Sequence, residues 1–439
     1  MPAFNFKLSL KQTYHALFRS KGTHFQLSPR RILVLILFYV LFPIVEISNW
    51  MGFFLDDLLF PRYREQRLKN PVFVLGNYRS GTTFLHRLLA KDRRMFTSME
   101  GWEIFIAPSI TQRKILSFWV SVDHLLGGYV LKWLDHLWQG NVQSQVTFHK
   151  LGVREPEEDE GLLAHIWSGI IPWNMFPIME NGSPNYAKFD TMVSEKEKKR
   201  VMNFYKSCLQ RHVYAYGGKK IYLSKSPSFS ASVDSIYKTF PDARIIYLVR
   251  NPLEVVPSAL NMWAFKWHVT CSPTEKYPYR DEVLDMMKYW YEHPLERLRK
   301  APPNSYRIIR FEELIEDPER IVRQIYQHFR LPVRPAYARK LRRETRRSRR
   351  SSRKSSYSLA EMGLTSSRVA KEFSAIINRF WFSEAGRKRR QVHKLNRKKK
   401  VAPVFFERRK TTGRPAAEIY HRVARRNTKH RMARDMNMV

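Results

Sequence analysis

Short apolar runs recur along the chain, and each gives way to residues spaced for one face of a helix. Val72-Phe73-Val74-Leu75, Ile221-Tyr222-Leu223, Arg244 to Val249 and Tyr306 to Phe311 are three to six residues long and rich in β-branched and aromatic side chains, as buried strands are. Helical spacing follows them over Thr82 to Leu89, Phe229 to Phe240, from Pro252 onward, and over Glu319 to Phe329. Further helical patterns cover Leu116 to Trp138, Ser194 to Tyr214, Asp281 to Lys300 and Tyr357 to Phe380. Strands that alternate with helices predict an α/β fold: a three-layer core with a mostly parallel central sheet covered on both faces.

The first sixty residues follow a different pattern. Residues 1–31 hold Lys7, Lys11, Arg19, Lys21, Arg30 and Arg31 with no acidic residue. Residues 32–60 form a hydrophobic segment, opening on the uncharged run Ile32 to Val45 and interrupted by Pro43, Glu46, Asp56 and Asp57. Crossing a bilayer takes about 20 mostly apolar residues, so the first run alone is too short. Three readings stand: a membrane-embedded hairpin, a single span, or an amphipathic helix packed on the domain. The basic leader would stay on the cytoplasmic side of a span. The expected location is a membrane surface facing the cytoplasm, with a single span and the catalytic domain on the far side as the alternative.

Composition narrows the classes. The 439 residues are 44% hydrophobic and 14% aromatic, enough for a substantial core, and the formal net charge is +39. Such charge suits an anionic ligand, an anionic membrane or nucleic acid without choosing among them. With Cys208 and Cys271 as the sole cysteines, neither a disulfide framework nor a cysteine zinc cluster can be built. The 14 histidines show no metal-ligand spacing, and no metal is expected.

The densest chemical signal lies between Pro71 and Ala90, PVFVLGNYRSGTTFLHRLLA. A strand, a turn bounded by Gly76 and Gly81 and a helix N-terminus make an anion cradle, where backbone N–H groups and the helix dipole favour negative charge. Ser80, Thr82 and Thr83 add hydroxyls, and Arg79 adds a charged fork suited to phosphate or sulfate. The spacing is P-loop-like, yet Thr82 stands where a nucleotide-triphosphate loop carries lysine. A second constellation follows at strand ends, where open α/β sheets bind ligands. Lys225 ends one strand, Arg250 ends the next, and Ser258 lies eight residues beyond Arg250.

Both stretches resemble the sulfotransferases that use 3'-phosphoadenosine 5'-phosphosulfate (PAPS), and most of all their bacterial-type branch, which is related to the tyrosylprotein sulfotransferases. The resemblance covers about residues 71–382. It implies that Arg79, Ser80, Gly81, Thr82 and Thr83 hold the 5'-phosphosulfate. It further implies that Arg250 and Ser258 hold the 3'-phosphate, and that Lys225 stabilises charge on the bridging oxygen or the sulfuryl group. A base must take the acceptor proton. Two alignments within the family point to Glu100 and to Glu103, one helical turn apart, and His86 is a third candidate. The acidic run Glu155 to Glu160 resembles an E-P-x-E-D-E segment of the same branch; its carboxylates either favour a helix N-terminus or, by mutual repulsion, raise one pKa into general-base range.

The chain thus divides into a basic leader (1–31), a hydrophobic membrane-associated segment (32–60), a sulfotransferase domain (71–382) and a basic, flexible tail (383–439). The expected activity is in-line transfer of the sulfuryl group from PAPS to an acceptor hydroxyl on a small molecule, lipid or carbohydrate. Two rivals predict otherwise. A P-loop kinase or nucleotidase would need magnesium and ATP, and a non-enzymatic binder of anions, nucleic acid or membranes on the same scaffold would show steep salt dependence. Nucleic acid ranks behind a membrane as partner. In the basic run, Arg353 and Lys354 are candidates to close over the cofactor's phosphates.

Overall fold

In a computed structural model of the chain, residues 4–129, 155–176, 185–350 and 358–382 are described. The tail from Ser383, Arg353 and Lys354, and the second half of the pattern from Leu116 to Trp138 lie outside them. Five strands form one all-parallel sheet: β1 Val72–Gly76, β2 Phe96–Thr97, β3 Ile221–Lys225, β4 Arg244–Val249 and β5 Tyr306–Arg310. Their order is β2-β3-β1-β4-β5, so β1 is central and the chain reverses its direction of sheet growth beside it. That places the C-terminal ends of β1, β3 and β4 at the switch point where open sheets bind ligands.

Period-two alternation divides the core into two layers. Phe73 and Leu75 of β1, with Ile245, Tyr247 and Val249 of β4, point into the larger cluster. Val72, Val74, Ile246 and Leu248 point into the smaller one. The sequence did not reveal β2, because two residues are too few to show alternation. Phe229 to Phe240 divides into a 3₁₀ turn and the helix Val233–Thr239, and the acidic run leads into a 3₁₀ helix, Asp159–Ile166, rather than an α-helix.

The hydrophobic segment is not a hairpin. It is one continuous helix, α2 (Pro29–Leu59), following α1 (Phe6–Phe18). Pro43 lies inside it: proline removes one backbone hydrogen bond, and the helix continues through it. One face is buried on the domain. Asp56 of α2 accepts hydrogen bonds from the N–H groups of Ile110 and Thr111 at the start of the helix Ile110–Leu125. Asp56 also pairs with the Arg211 guanidinium at 3.0 Å, and Glu46 meets His165 at 2.7 Å.

Candidate active site

The turn after β1 is shaped by backbone geometry. Gly76 has φ +145°, and a Cβ there would lie 2.6 Å from the Leu248 carbonyl oxygen of β4. Gly81 has φ +88°, and its Cβ would strike the Phe311 ring at 2.6 Å, so both positions require glycine. Between them Arg79 takes a left-handed φ of +64°, an uncommon conformation for a residue with a side chain. The helix that follows, α3 (Thr82–Ala90), has Gly81 as its N-cap and no side-chain cap, leaving its first N–H groups for an anion.

A cavity of about 380 Å³ opens there, lined by Tyr78, Arg79, Gly81, Thr82, Thr83, Phe84, Arg87, Glu158, Pro227, Arg250, Met262 and Phe311. The two sequence constellations meet in it. Arg79 Nε donates to Ser258 Oγ at 3.0 Å, and Arg250 Nη1 donates to the Arg79 carbonyl at 2.9 Å. The Arg250 guanidinium stacks on the Phe311 ring 4.2 Å from its centroid and also pairs with Glu254 at 2.9 Å. Ser80 is fully buried beneath the turn. The helix Pro252–Thr270, here α4, carries Ser258 and Met262.

Lys225 ends β3 opposite Val74 and is fully buried. Its ammonium donates to Glu158 at 2.9 Å and lies 3.4 Å from Glu157. Each remaining carboxylate of the acidic run has its own partner. Asp159 accepts from the hydroxyls of Tyr205 (2.6 Å), Tyr222 and Ser224 (both 2.9 Å), and burial raises its pKa to about 6 against those hydrogen bonds. Glu160 accepts from the Ser228 and Ser226 hydroxyls and the Ile170 N–H, and its pKa too is raised by burial. Glu155 lies 3.8 Å from Arg87. Among the described residues, Glu158 is the one carboxylate that lines the cavity.

The other candidate bases are placed elsewhere. Glu103 is fully buried and accepts from the Tyr216 hydroxyl and the Glu100 N–H, with Arg113 at 3.5 Å. Glu100 caps the short helix Gly101–Phe105 and accepts from the Trp102 indole at 2.9 Å. Neither lines the cavity. His86 faces the sheet, its Nε2 3.4 Å from the Leu223 carbonyl, and burial with Lys225 nearby lowers its pKa to about 3. His86 is fully buried and, like Glu100 and Glu103, is not one of the cavity-lining residues.

Local sequence could not single out Glu158. Five carboxylates share residues 155–160, two of them pair with Lys225, and only the fold brings Glu158 to the cavity wall. Lys266 was also missed. It lies over the rings of Tyr78 and Trp263, at 5.4 and 4.8 Å, and burial lowers its pKa while Glu158 and Glu160 oppose the shift.

An all-parallel α/β sheet with a strand-end cavity lined by Arg79, Arg87 and Arg250 sets the class of fold and site. Residues 71–335 match the Sulfotransferase family, and the chain belongs to that family. It is 27% identical over 280 residues to omega-hydroxy-beta-dihydromenaquinone-9 sulfotransferase Stf3 of Mycobacterium tuberculosis, an alignment spanning 62% of this chain and 66% of that protein, just under two thirds of its length. The fold is shared with the crystal structures of sulfotransferase STF1 from Mycobacterium tuberculosis H37Rv and sulfotransferase STF9 from Mycobacterium avium. STF1 has a TM-score of 0.60 and 19% identity, covering 84% of this chain and 92% of that one. STF9 has a TM-score of 0.59 and 19% identity, covering 74% and 80%.

Proposed function

We propose that this chain transfers a sulfuryl group from PAPS to an acceptor hydroxyl. One observation carries the reading: Arg79, Arg250 and Ser258, from motifs about 170 residues apart, join through hydrogen bonds of 3.0 and 2.9 Å, and both arginines line one cavity. The residues fit PAPS, since glycine-bounded backbone, uncapped helix N–H groups and two arginines supply donors for anionic oxygens at two places. Arg79, Ser80, Gly81, Thr82 and Thr83 hold the 5'-phosphosulfate, and Arg250 and Ser258 the 3'-phosphate. PAPS, when bound, supplies the activated sulfuryl group.

Lys225 provides a buried positive charge where negative charge grows on the leaving oxygen, which is worth more in a dry site than in water. Glu158 replaces Glu100 and Glu103 as the base: it lines the cavity, and its ion pair with Lys225 aims the carboxylate inward. Positioning and charge stabilisation carry most of the rate, as in phosphoryl transfer. The name of Stf3 describes a hydroxylated menaquinone as that enzyme's acceptor. Together with the apolar lining from Phe84, Met262 and Phe311, this supports a lipid hydroxyl over a carbohydrate as the acceptor here. The kinase reading has no comparable support, because Thr82 still stands in the lysine position.

Calorimetry with PAP, the desulfated product, tests the clamp. Arg79→Ala and Arg250→Ala should each weaken binding by at least about ten-fold, since each removes a charge-assisted contact. Undiminished binding in both would falsify the assignment. Glu158→Gln should keep PAP affinity while turnover falls about 10²–10⁴-fold, the range for losing a general base. Glu100→Gln should leave turnover near wild type, and the reverse pattern would return the role to Glu100.

A further inference from the structure

The outer face of α2 is the largest feature that the catalytic reading leaves unused. Leu33, Leu37, Val40, Leu41, Ile44 and Ile47 are each 51–62% exposed, and no charged residue stands between Ile32 and Val45. Two neighbouring helices extend this surface. Phe6, Leu10 and Phe18 of α1 are 60–73% exposed, and α1 is tied to α2 by a 2.6 Å hydrogen bond between Thr13 and Tyr39. Phe118 and Trp119, on the helix Ile110–Leu125 that Asp56 caps, are about 60% exposed. Apolar exposure on this scale marks a surface that another phase covers.

The opposite face of α2 decides how that phase is met. Arg31 is fully buried and donates to the carbonyls of Thr270 and Met175. Glu46 pairs with His165, and Asp56 with Arg211. Arg31 and Asp56 stand 25 residues apart, about 38 Å of helix at 1.5 Å per residue. The hydrocarbon core of a bilayer is only about 30 Å thick. A helix fastened to the domain at both ends of a stretch this long cannot cross a bilayer without drawing the domain into it.

Charge selects the lipid. Exposed Lys7, Arg19 and Lys21 precede α2, exposed Arg62 follows it, and no acidic residue occurs before Glu46. A basic rim around an uncharged apolar face complements an anionic leaflet.

We infer that α2, with α1 and the helix Ile110–Leu125, lies in the plane of one anionic leaflet, so that the enzyme is monotopic and neither end of α2 crosses. The docked face of α2 then links leaflet and cavity. It is tied to His165, in the segment Asp159–Ile166 that follows Glu158, and to Thr270, at the C-terminal end of the helix that also carries Met262. An acceptor leaving the leaflet alongside α2 reaches the elements that line the site. The orientation concerns where the enzyme works and stands whether or not PAPS is the donor.

The full-length protein should float with vesicles of phosphatidylcholine containing about 30% phosphatidylglycerol, and float less with phosphatidylcholine alone or at high salt. Leu37→Glu, Leu41→Glu and Ile44→Glu combined should cut the floated fraction more than about ten-fold, because the outer face then carries charge into hydrocarbon. That variant should bind PAP as wild type does, showing that it is folded; flotation without PAP binding in the wild type would leave this inference standing and remove the proposed donor. For topology, Lys7→Cys and Arg64→Cys are placed singly in the chain, whose native Cys208 and Cys271 are buried. In sealed membrane vesicles a membrane-impermeant maleimide should label both positions from the same side. Labelling of one position only would show a span and overturn the inference. So would a wild type that ignores vesicles and covers this face by forming a dimer in sedimentation experiments.

Discussion

Asp159 sets the charge balance beneath the site. It is fully buried among three hydroxyl donors, and burial lifts its pKa from 3.8 to about 6. Because the folded-state value lies above the unfolded one, the folded protein keeps this proton longer than the unfolded chain does. The resulting stability is complete below about pH 4 and is lost as pH rises through about 6. Relative to Asp159→Asn, the wild type should therefore lose up to about 3 kcal/mol of unfolding free energy between pH 4 and pH 7. Urea titrations of both proteins across that range measure it, and a pH-independent difference would contradict the raised pKa. At this scale, residues tied to local backbone chemistry were legible in the sequence: Arg79, Gly81, Thr82 and Thr83 all line the cavity. Glu158 was not, because what sets it apart from the other carboxylates of its run is its place on the cavity wall, which the tertiary fold decides. Glu100 and Glu103 carry the same functional group, but hydrogen bonds to Trp102 and Tyr216 engage them in the fold instead.

Among the elements, four strands were readable because each is a continuous buried run between turn signals, whereas β2 has two residues and no periodicity to read. The hairpin, one of the three readings of residues 32–60, failed for a related reason. Pro43, Glu46 and Asp56 look like interruptions in a linear reading, yet Glu46 and Asp56 fall on the one face that the domain covers. Those two faces predict opposite responses to mutation. Asp56→Ala leaves the buried N–H groups of Ile110 and Thr111 without their acceptor and takes a carboxylate from the buried Arg211 guanidinium, so it should cost about 3–5 kcal/mol in detergent-solubilised protein. Leu41→Glu on the exposed face should change stability by no more than about 0.5 kcal/mol. Thermal or urea unfolding separates the two, and equal costs would mean that α2 is not docked through its polar face.

For the whole molecule, charge governs arrival at the site. Residues 383–439 hold 19 Lys and Arg against 4 Asp and Glu, so more than half of the +39 net charge belongs to the first 382 residues. An anionic ligand approaching Arg79, Arg87 and Arg250 is drawn by that field. The association rate of PAP should fall steeply as salt is raised, while its dissociation rate changes less. Stopped-flow measurements at several ionic strengths check this, and a salt-independent association rate would assign the charge to other partners. The anchoring of α2 also bears on how the chain is made. Asp56 leaves the ribosome 155 residues before Arg211, and Glu46 leaves 119 residues before His165. At roughly 5–20 residues per second, α2 waits about 6–30 s for the partners of its polar face. A lipid surface that takes the apolar side first would hold those carboxylates facing outward, so that the sheet and its cavity are assembled against a helix already in place.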